Sequence, residues 1–491
     1  MASVRQLFSQ TAVYGLGTIL PRFLNYLLTP LYTYLFTNPA DYGINAEMYA
    51  YISFLNILFT YGMETTFFHF ANNSSNPQKI FNVTYSLMLV TTIVFSLILL
   101  MFTNSITKLL HYSHSIFIYW TIGILATDAL LALPYAYLRQ NNKAMFFSIL
   151  KISNVVFNIG FNLFFFLLCK YHYDNQYSSL WAKIYNPEIG IGYAFLSNLL
   201  ANVLNLILVV PLIKKFHFEW DRTLLKPMLL YALPLVVVGL AGMVNETFDR
   251  IVLKYLLPPD VAQSAQGIYG ACYKLSILMT IFIQAYRYAA EPFFFRVFKN
   301  SDAKEMYAKT TDIFVAFGLI LWLGTILNLP ILKYFIGPSY RIGLNVVPVL
   351  LTANLCLGIY FNLSFWYKLT GQTQIGAYIT LFGAFITLLI NFIFVPKYSY
   401  VASAWATLAA YASMMLVSYF LGQRYFKVNY FMDRIFINCA SALMIFILVN
   451  NIHLSNTMLQ IVVNNLFLFT FILFVIIRYS KYYSLPFLKK N

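Results

Sequence analysis

The sequence predicts an all-α polytopic membrane protein with 14 transmembrane helices, and three observations carry that reading. Hydrophobic residues make up 60% of the 491-residue chain and charged residues only 10%, with a mean hydropathy of +0.70. Soluble proteins carry about 25% charge, so this chain cannot build a polar shell around soluble domains. Apolar runs of about 20 residues or more also recur, the length a helix needs to cross about 30 Å of hydrocarbon. Lysine and arginine, finally, collect in alternate segments between those runs. Together these exclude a soluble enzyme, a nucleic-acid-binding protein and a disordered chain. The formal net charge of +16 therefore belongs to loops at an anionic membrane face or to a charged interior.

Taken in order, apolar runs bounded by Pro, Gly, Asn and charge clusters place spans near 10–36, 43–70, 80–103, 115–138, 144–168, 189–213 and 229–256. The series continues near 267–290, 311–328, 344–367, 374–395, 399–422, 433–451 and 456–478. The first run is not a cleaved signal peptide: it is long, carries Arg22 centrally and lacks a small-x-small site. One set of connecting segments holds 22 of the 32 Lys and Arg residues, the opposite set holds 7, and Arg22, Arg250 and Lys274 fall inside spans. Positive loops stay in the cytoplasm, so both termini are expected there. Cys169, Cys272, Cys356 and Cys439 lie in or beside four different spans with no paired spacing, which reads as small apolar packing.

Two segments repeat. Tyr34-Leu35-Phe36, the Asn38–Asp41 turn, Tyr42-Gly43 and Glu64 match Tyr255-Leu256-Leu257, the Pro258–Asp260 turn, Tyr269-Gly270 and Glu291. Tyr42 to Tyr269 and Glu64 to Glu291 are both shifts of 227 residues. The repeat divides the chain into an N-lobe (1–218, six spans), a C-lobe (219–428, six spans) and a two-span appendix (429–491). Two pseudo-symmetric six-helix lobes plus two C-terminal helices is a transporter plan, with the substrate path expected at the repeat interface.

On-board catalysis is disfavoured. There is no Gly-Lys dipeptide and hence no Walker A loop, no HExxH, and no external loop large enough to seat an acid–base pair, so no cofactor or metal is implied. His69 reads as an interfacial or packed residue, and Gly15-Leu16-Gly17 as a helix-packing or hinge feature.

Charges inside spans are costly, which makes each a site candidate. Arg22 lies between Pro21 and Pro30 in span 1, where a permanent guanidinium beside a hinge suits a phosphate; a structural pair with Asp128 is the bland alternative. Glu246, Asp249 and Arg250 share a face of span 7, continued by Lys254, and either line a site or neutralise each other. Span 8 carries Lys274, then Gln284, Arg287 and Glu291 on one face. Glu64 and Glu291, as repeat counterparts, are candidates to brace a gate with Arg287 or Arg139. Mid-span asparagines such as Asn25, Asn154, Asn158, Asn162 and Asn202 read mainly as interhelical hydrogen bonds.

At these residues the chain resembles a known family. Gly17–Thr33 (GTILPRFLNYLLTPLYT), Tyr61–Phe68 (YGMETTFF), Asp249–Pro258 (DRIVLKYLLP) and Gln284–Phe294 (QAYRYAAEPFF) are similar to signatures of O-antigen (Wzx-type) polysaccharide-biosynthesis flippases of the multidrug/oligosaccharidyl-lipid/polysaccharide (MOP) exporter superfamily. The resemblance is strongest over residues 10–300. It implies two six-helix lobes, alternately open to either side, around a cationic cavity. The implied substrate is a polyprenyl-pyrophosphate-linked oligosaccharide moved to the outer leaflet of the bacterial inner membrane. Arg22 matches a first-helix arginine of the family; His69 stands where relatives often carry Arg.

The expected function is lipid-linked oligosaccharide flipping for cell-surface polysaccharide or lipopolysaccharide synthesis. Arg22, Arg250, Lys274 and Arg287 are the expected cavity cations. Glu64, Asp128, Glu246, Asp249 and Glu291 are the acids available for gating or for coupling H+ or Na+. Membrane lipids are expected partners, and the protein is expected to be a monomer working beside polysaccharide assembly proteins. A multidrug antiporter of the same fold is the first rival and a membrane glycan polymerase or ligase the second.

Overall fold

The computed structural model describes residues 15, 17–112, 114–298, 302–452 and 454–482. Arg5, Lys299, Lys489 and Lys490 of the charge count, the two chain ends and most of the first turns of span 1 lie outside the described residues, as does the side chain of Arg296. All described secondary structure is helical. The main helices are α1 (Leu28–Leu35, preceded by helical turns over 17–26), α2 (Pro39–Thr60), α3 (Met63–Asn72), α4 (Pro77–Met101), α5 (Ile116–Gln140), α6 (Ala144–Leu163), α7 (Tyr193–Val209) and α8 (Arg222–Leu256). They continue as α9 (Pro259–Leu275), α10 (Ile277–Val297), α11 (Ala303–Leu327), α12 (Val347–Leu363), α13 (Thr373–Tyr425), α14 (Met432–Asn450) and α15 (Thr457–Tyr482).

Among the described residues ten helical segments are long and apolar enough to cross a membrane, and an eleventh arises if α9 and α10, bent by 48° at their junction, count as one span. The chain is thus a multi-pass membrane protein, and its architecture is consistent with 14 spans. Helix α13 has 53 residues, about 80 Å at 1.5 Å per residue, or roughly two bilayer cores. It breaks at Ser399 (φ 52°, ψ −142°), between the expected spans 374–395 and 399–422. Span 2 is likewise in two pieces. Tyr61 and Gly62, at φ 30° and 71°, end α2 and start α3; the left-handed region suits Gly62, which lacks a Cβ.

Local chemistry explains the helix starts. Asn38 accepts from the Ala40 amide at 3.1 Å with Pro39 in the first turn, and Asn76 accepts from the Lys79 amide at 3.1 Å with Pro77 in the first turn. Both combine a polar cap with a proline whose missing N–H costs nothing there. Asp221 caps α8 through the Thr223 amide at 2.9 Å.

Packing divides the chain into two compact units, Met1–Gly267 and Ile268–Asn491, with the seam inside α9. The first has a core around Phe59, Met63, Phe67, Phe81, Met88 and Leu125. Helix α8, which opens the expected C-lobe, packs within this unit on α2 and α3. Packing units and sequence repeats are thus different divisions of one chain.

In the second unit α11 is the most enclosed helix, and α14 and α15 pack against it. Polar clasps fix that hairpin. Tyr479 donates its hydroxyl to Asp312, Asn438 donates to Tyr479 Oη at 3.1 Å, and Arg478 donates to Asn438 at 3.0 Å. Toward the other end of α15, Asn464 donates to the Leu327 carbonyl at 2.6 Å and Asn465 to Asn328 at 3.0 Å. Large apolar residues such as Ile93, Leu97, Leu230, Phe385, Phe436 and Phe469 stay exposed on these helices, the surface a bilayer would cover.

Candidate functional site: charged groups within the helices

In the first unit, close packing at Gly17 sets the position of the first helix. A Cβ there would lie 2.3 Å from Ser148 Oγ, so the helix backbone lies directly on α6. Arg22 follows, exposed, on the same helix. Its expected alternative partner, Asp128, is instead held by α7: Asn202 donates to Asp128 Oδ1 at 2.8 Å and accepts from Asn154 at 2.9 Å. Among the described residues no Arg22–Asp128 ion pair forms within 4.0 Å. Glu64 accepts from Arg139 Nη1, whose guanidinium carbon lies 5.0 Å from the centre of the Phe68 ring, and both charged side chains are 44% exposed.

Lys151 lies in the middle of these groups. It is half-buried on the second turn of α6, its Nζ 4.0 Å from the centre of the Tyr135 ring, and it interacts electrostatically with Asp128, Glu64, Arg139 and Arg22. By charge pattern alone Lys151 counts with the cytoplasmic loops, although it falls inside the expected fifth span. Its position relative to that span boundary was the available signal.

The asparagines are interhelical ties, as expected. Asn158 donates to Asn25 at 3.1 Å and Tyr32 donates to Asn162 at 2.7 Å, while Asn162 donates to Asn158 Oδ1 at 3.0 Å within α6. Four polar residues of α6 (Lys151, Asn154, Asn158 and Asn162) recur at spacings of three and four, forming one stripe. His69 is exposed and stacked on Tyr231, centroids 4.4 Å apart.

On α8 the residues of the expected charged face differ in exposure. Glu246 is exposed, Asp249 is 3% exposed, and Arg250 is half-buried with its carbonyl accepting from Gln266. Lys254 turns to another helix. Its Nζ lies 2.7 Å from Glu47 Oε1 and also donates to the Leu110 carbonyl, and the two side chains are 9% and 0% exposed. The Lys254 side chain is enclosed there because a carboxylate on α2 neutralises it. Sequence reasoning missed Glu47 as well; an acid at the start of an otherwise apolar span was the signal.

In the second unit, Lys274 is half-buried near the end of α9. Arg287 is half-buried on α10, its guanidinium carbon 4.1 Å from the centre of the Phe361 ring. Glu291 pairs with Lys368 at 3.0 Å rather than with Arg287. Asp312, also missed from sequence, is fully buried, with Tyr479 on its carboxylate and Arg434 at 3.9 Å. Each unit thus holds cations among apolar helices, an ion pair on one of the two sequence-matched glutamates, and a fully buried acid.

The family profile described as "Polysaccharide biosynthesis protein" matches residues 7–298. The chain belongs to that family. The match spans both the Gly17–Thr33 segment and the Gln284–Phe294 segment that carry the sequence resemblance. No curated protein sequence matches the chain. Among solved structures it is similar to the lipid II flippase MurJ in an inward closed conformation, with TM-score 0.65, 17% identity, and coverage of 94% of this chain and 98% of that one. It is also similar to a mutant of the Vibrio cholerae MATE transporter VcmN, at TM-score 0.57, 14% identity, and 86% and 96% coverage. A MOP superfamily transporter from Pyrococcus furiosus matches at TM-score 0.58 and 12% identity, covering 84% of this chain and 95% of that one. At these identities the likeness concerns the fold: the family member shares the helical architecture of MOP superfamily transporters.

Proposed function

We propose that this protein is a flippase that carries a polyprenyl-pyrophosphate-linked oligosaccharide across the bacterial inner membrane by alternating access, for surface polysaccharide synthesis. The observation that carries the reading is the set of cations kept among apolar helices: Arg22, Arg250, Lys274 and Arg287. Holding cations at membrane depth is costly, and a doubly charged pyrophosphate is a ligand that offsets the cost through charge-assisted hydrogen bonds. Family membership and the fold shared with a lipid II flippase support the same substrate class. The glycan and lipid tail need no catalysis, only a hydrated path and a bilayer, so the protein acts as a transporter.

In this reading the repeats 1–218 and 219–428 are the moving lobes, 429–491 adds two helices, and both termini lie in the cytoplasm. Glu64, Asp128, Glu246, Asp249 and Glu291 supply gating or the coupling of H+ or Na+. The protein would act as a monomer beside the enzymes that assemble and polymerise the glycan. The test is leaflet exchange of a fluorescent polyprenyl-pyrophosphate disaccharide in reconstituted vesicles. Wild type should exchange it, and Arg22→Ala should slow exchange at least about tenfold, the loss of one charge-assisted contact. Exchange by Arg22→Ala at the wild-type rate would remove Arg22 from the site, and wild-type vesicles that export cationic dyes but not the glycolipid would favour the antiporter.

A further inference from the structure

The eight residues 214–221 join two helical segments long and apolar enough to cross a membrane, one ending at Ile213 and the other, α8, starting at Arg222. The segment therefore lies at a membrane face, and it is strapped to α4. Gln78, Asn82 and Ser86 recur every four residues and so share one stripe of that helix. Gln78 donates to the Lys215 carbonyl at 3.3 Å, Asn82 Nδ2 lies 3.0 Å from His217 Nδ1, and Ser86 Oγ accepts from the Glu219 amide at 2.9 Å. The Phe216 ring adds an edge contact with Tyr85, centroids 4.9 Å apart.

These ties sort the side chains by charge. Lys79 draws both acids inward, Asp221 at 2.8 Å and Glu219 at 3.9 Å, and His217 stands 3.4 Å from the other Glu219 oxygen. Phe218 and Trp220 alternate with these acids and turn outward, as successive side chains of an extended run do. The two rings are 61% and 46% exposed and stacked, with planes 8° apart. Lys214, Lys215, Arg222 and Lys226 are exposed too, and among the described residues none of the four has a carboxylate within 4.0 Å.

The outward face thus presents four cations and two rings, while the acids that would repel an anionic surface are neutralised behind it. Aromatic rings beside charges at the end of a membrane helix settle at headgroup level, and clustered Lys and Arg attract anionic lipid. A phospholipid satisfies both halves of the face, its phosphate the cations and its glycerol–acyl boundary the rings. The flanking helices already bring a bilayer surface to this point.

We propose that residues 214–226 form an interfacial anchor for anionic phospholipid headgroups, with Lys214, Lys215, Arg222 and Lys226 on the phosphates and Phe218 and Trp220 at the acyl boundary. The anchor stands without the flippase reading. In the lobe division proposed above, it would hold the connector between the lobes at the membrane surface.

The experiment titrates the full chain, in neutral detergent, with short-chain phosphatidylglycerol or phosphatidylcholine. It follows Trp220 emission, taken as the difference between wild type and Trp220→Phe. Wild type should respond to phosphatidylglycerol at a concentration at least about tenfold lower, since each surface cation contributes about fivefold in affinity for anionic lipid. High salt should erase most of that preference. Lys214→Gln with Lys215→Gln should reduce it about fivefold or more. Lys143→Gln with Lys427→Gln, the same loss of charge elsewhere, should leave it unchanged. Phe218→Ser should weaken the response to both lipids and keep the preference.

Melting temperatures verify that each variant is folded, and the salt series needs wild type alone. Equal responses of wild type to the two lipids overturn the anchor. So does an equal loss in the control pair, which would make the effect one of net charge. A response to polyglutamate at lower concentration than to phosphatidylglycerol would make this face a dock for an acidic protein, which also overturns the proposal. Glycolipid exchange without a lipid preference would end the anchor and leave the flippase reading. A lipid preference in a protein that moves no glycolipid would do the reverse.

Discussion

The two packing units handle their acids in the same two ways, and the comparison separates what the units share from what is particular to each. Glu64 pairs with Arg139 near the end of α5, and Glu291 pairs with Lys368 just after α12. The glutamates are 227 residues apart and their partners 229, so the two pairs keep nearly the same spacing along the chain. The fully buried acids are not repeat counterparts. Glu47 meets Lys254 and ties α2 to α8, whereas Asp312 meets Tyr479 and, more loosely, Arg434, and ties α11 to the C-terminal hairpin. The partly exposed braces are the feature the two units share. The buried acids attach whatever lies outside the local repeat: a helix from the other repeat in one unit, the extra hairpin in the other.

The largest expected effect breaks the buried side of that comparison. Lys254→Met leaves Glu47 enclosed without its counter-charge, and such a loss costs about 3–5 kcal/mol. Thermal melting in detergent should fall sharply, and adding Glu47→Gln should recover much of the loss; a single variant that melts like wild type would show that the pair does not hold α8. The next effect is in the other unit. Asp312→Ala leaves the Tyr479 hydroxyl without its carboxylate acceptor, a cost of about 1–3 kcal/mol, and the hairpin should become cleavable near 426–432 in limited proteolysis. Cleavage no faster than wild type would mean that the Asn464 and Asn465 clasps suffice.

The exposed braces should behave alike and weakly. Glu64→Gln and Glu291→Gln should each change stability by no more than about 1 kcal/mol, the range of solvent-exposed pairs. Both should alter glycolipid exchange to a similar degree if the repeat carries a matched role. A strong effect of one and none of the other would confine the role to one unit.

The smallest effect concerns the α8 cap. A hydrogen bond from Lys79, and then one from Thr223, holds the Asp221 carboxyl well below the usual carboxylate range. A lowered folded value stabilises above the unfolded carboxylate value of about 3.9 and is lost as pH falls through the folded one. Melting of the wild type should therefore decline slightly more than that of Asp221→Asn on going from neutral pH to about pH 3. Equal declines would mean that the Lys79 contact is not maintained in solution.

Much of the architecture was legible because it depends on local quantities. Apolar run length, with the Pro, Gly, Asn and charged residues that bound the runs, located the helices. Charge positions were harder. Arg22, Arg250, Lys274 and Arg287 stand out in sequence because each interrupts an apolar run. Lys151 and Lys254, close to expected span ends, sort with the loops by sequence, since distance from a boundary does not say which way a long side chain turns. Glu47 and Asp312 drew no notice because their partners are 207 residues away in one case and 167 in the other.

What the sequence alone determined is therefore the membrane-spanning helical class and the charges that interrupt its apolar runs, set by hydropathy and spacing along the chain. Only the tertiary structure decided which charges neutralise one another, that α8 packs with the first repeat, that the last two helices are clasped to α11, and that Lys151 rests on a ring and not on a carboxylate. A charge in a low-dielectric interior is governed by whatever lies within a few ångströms of it, and in this fold those neighbours come from distant parts of the chain.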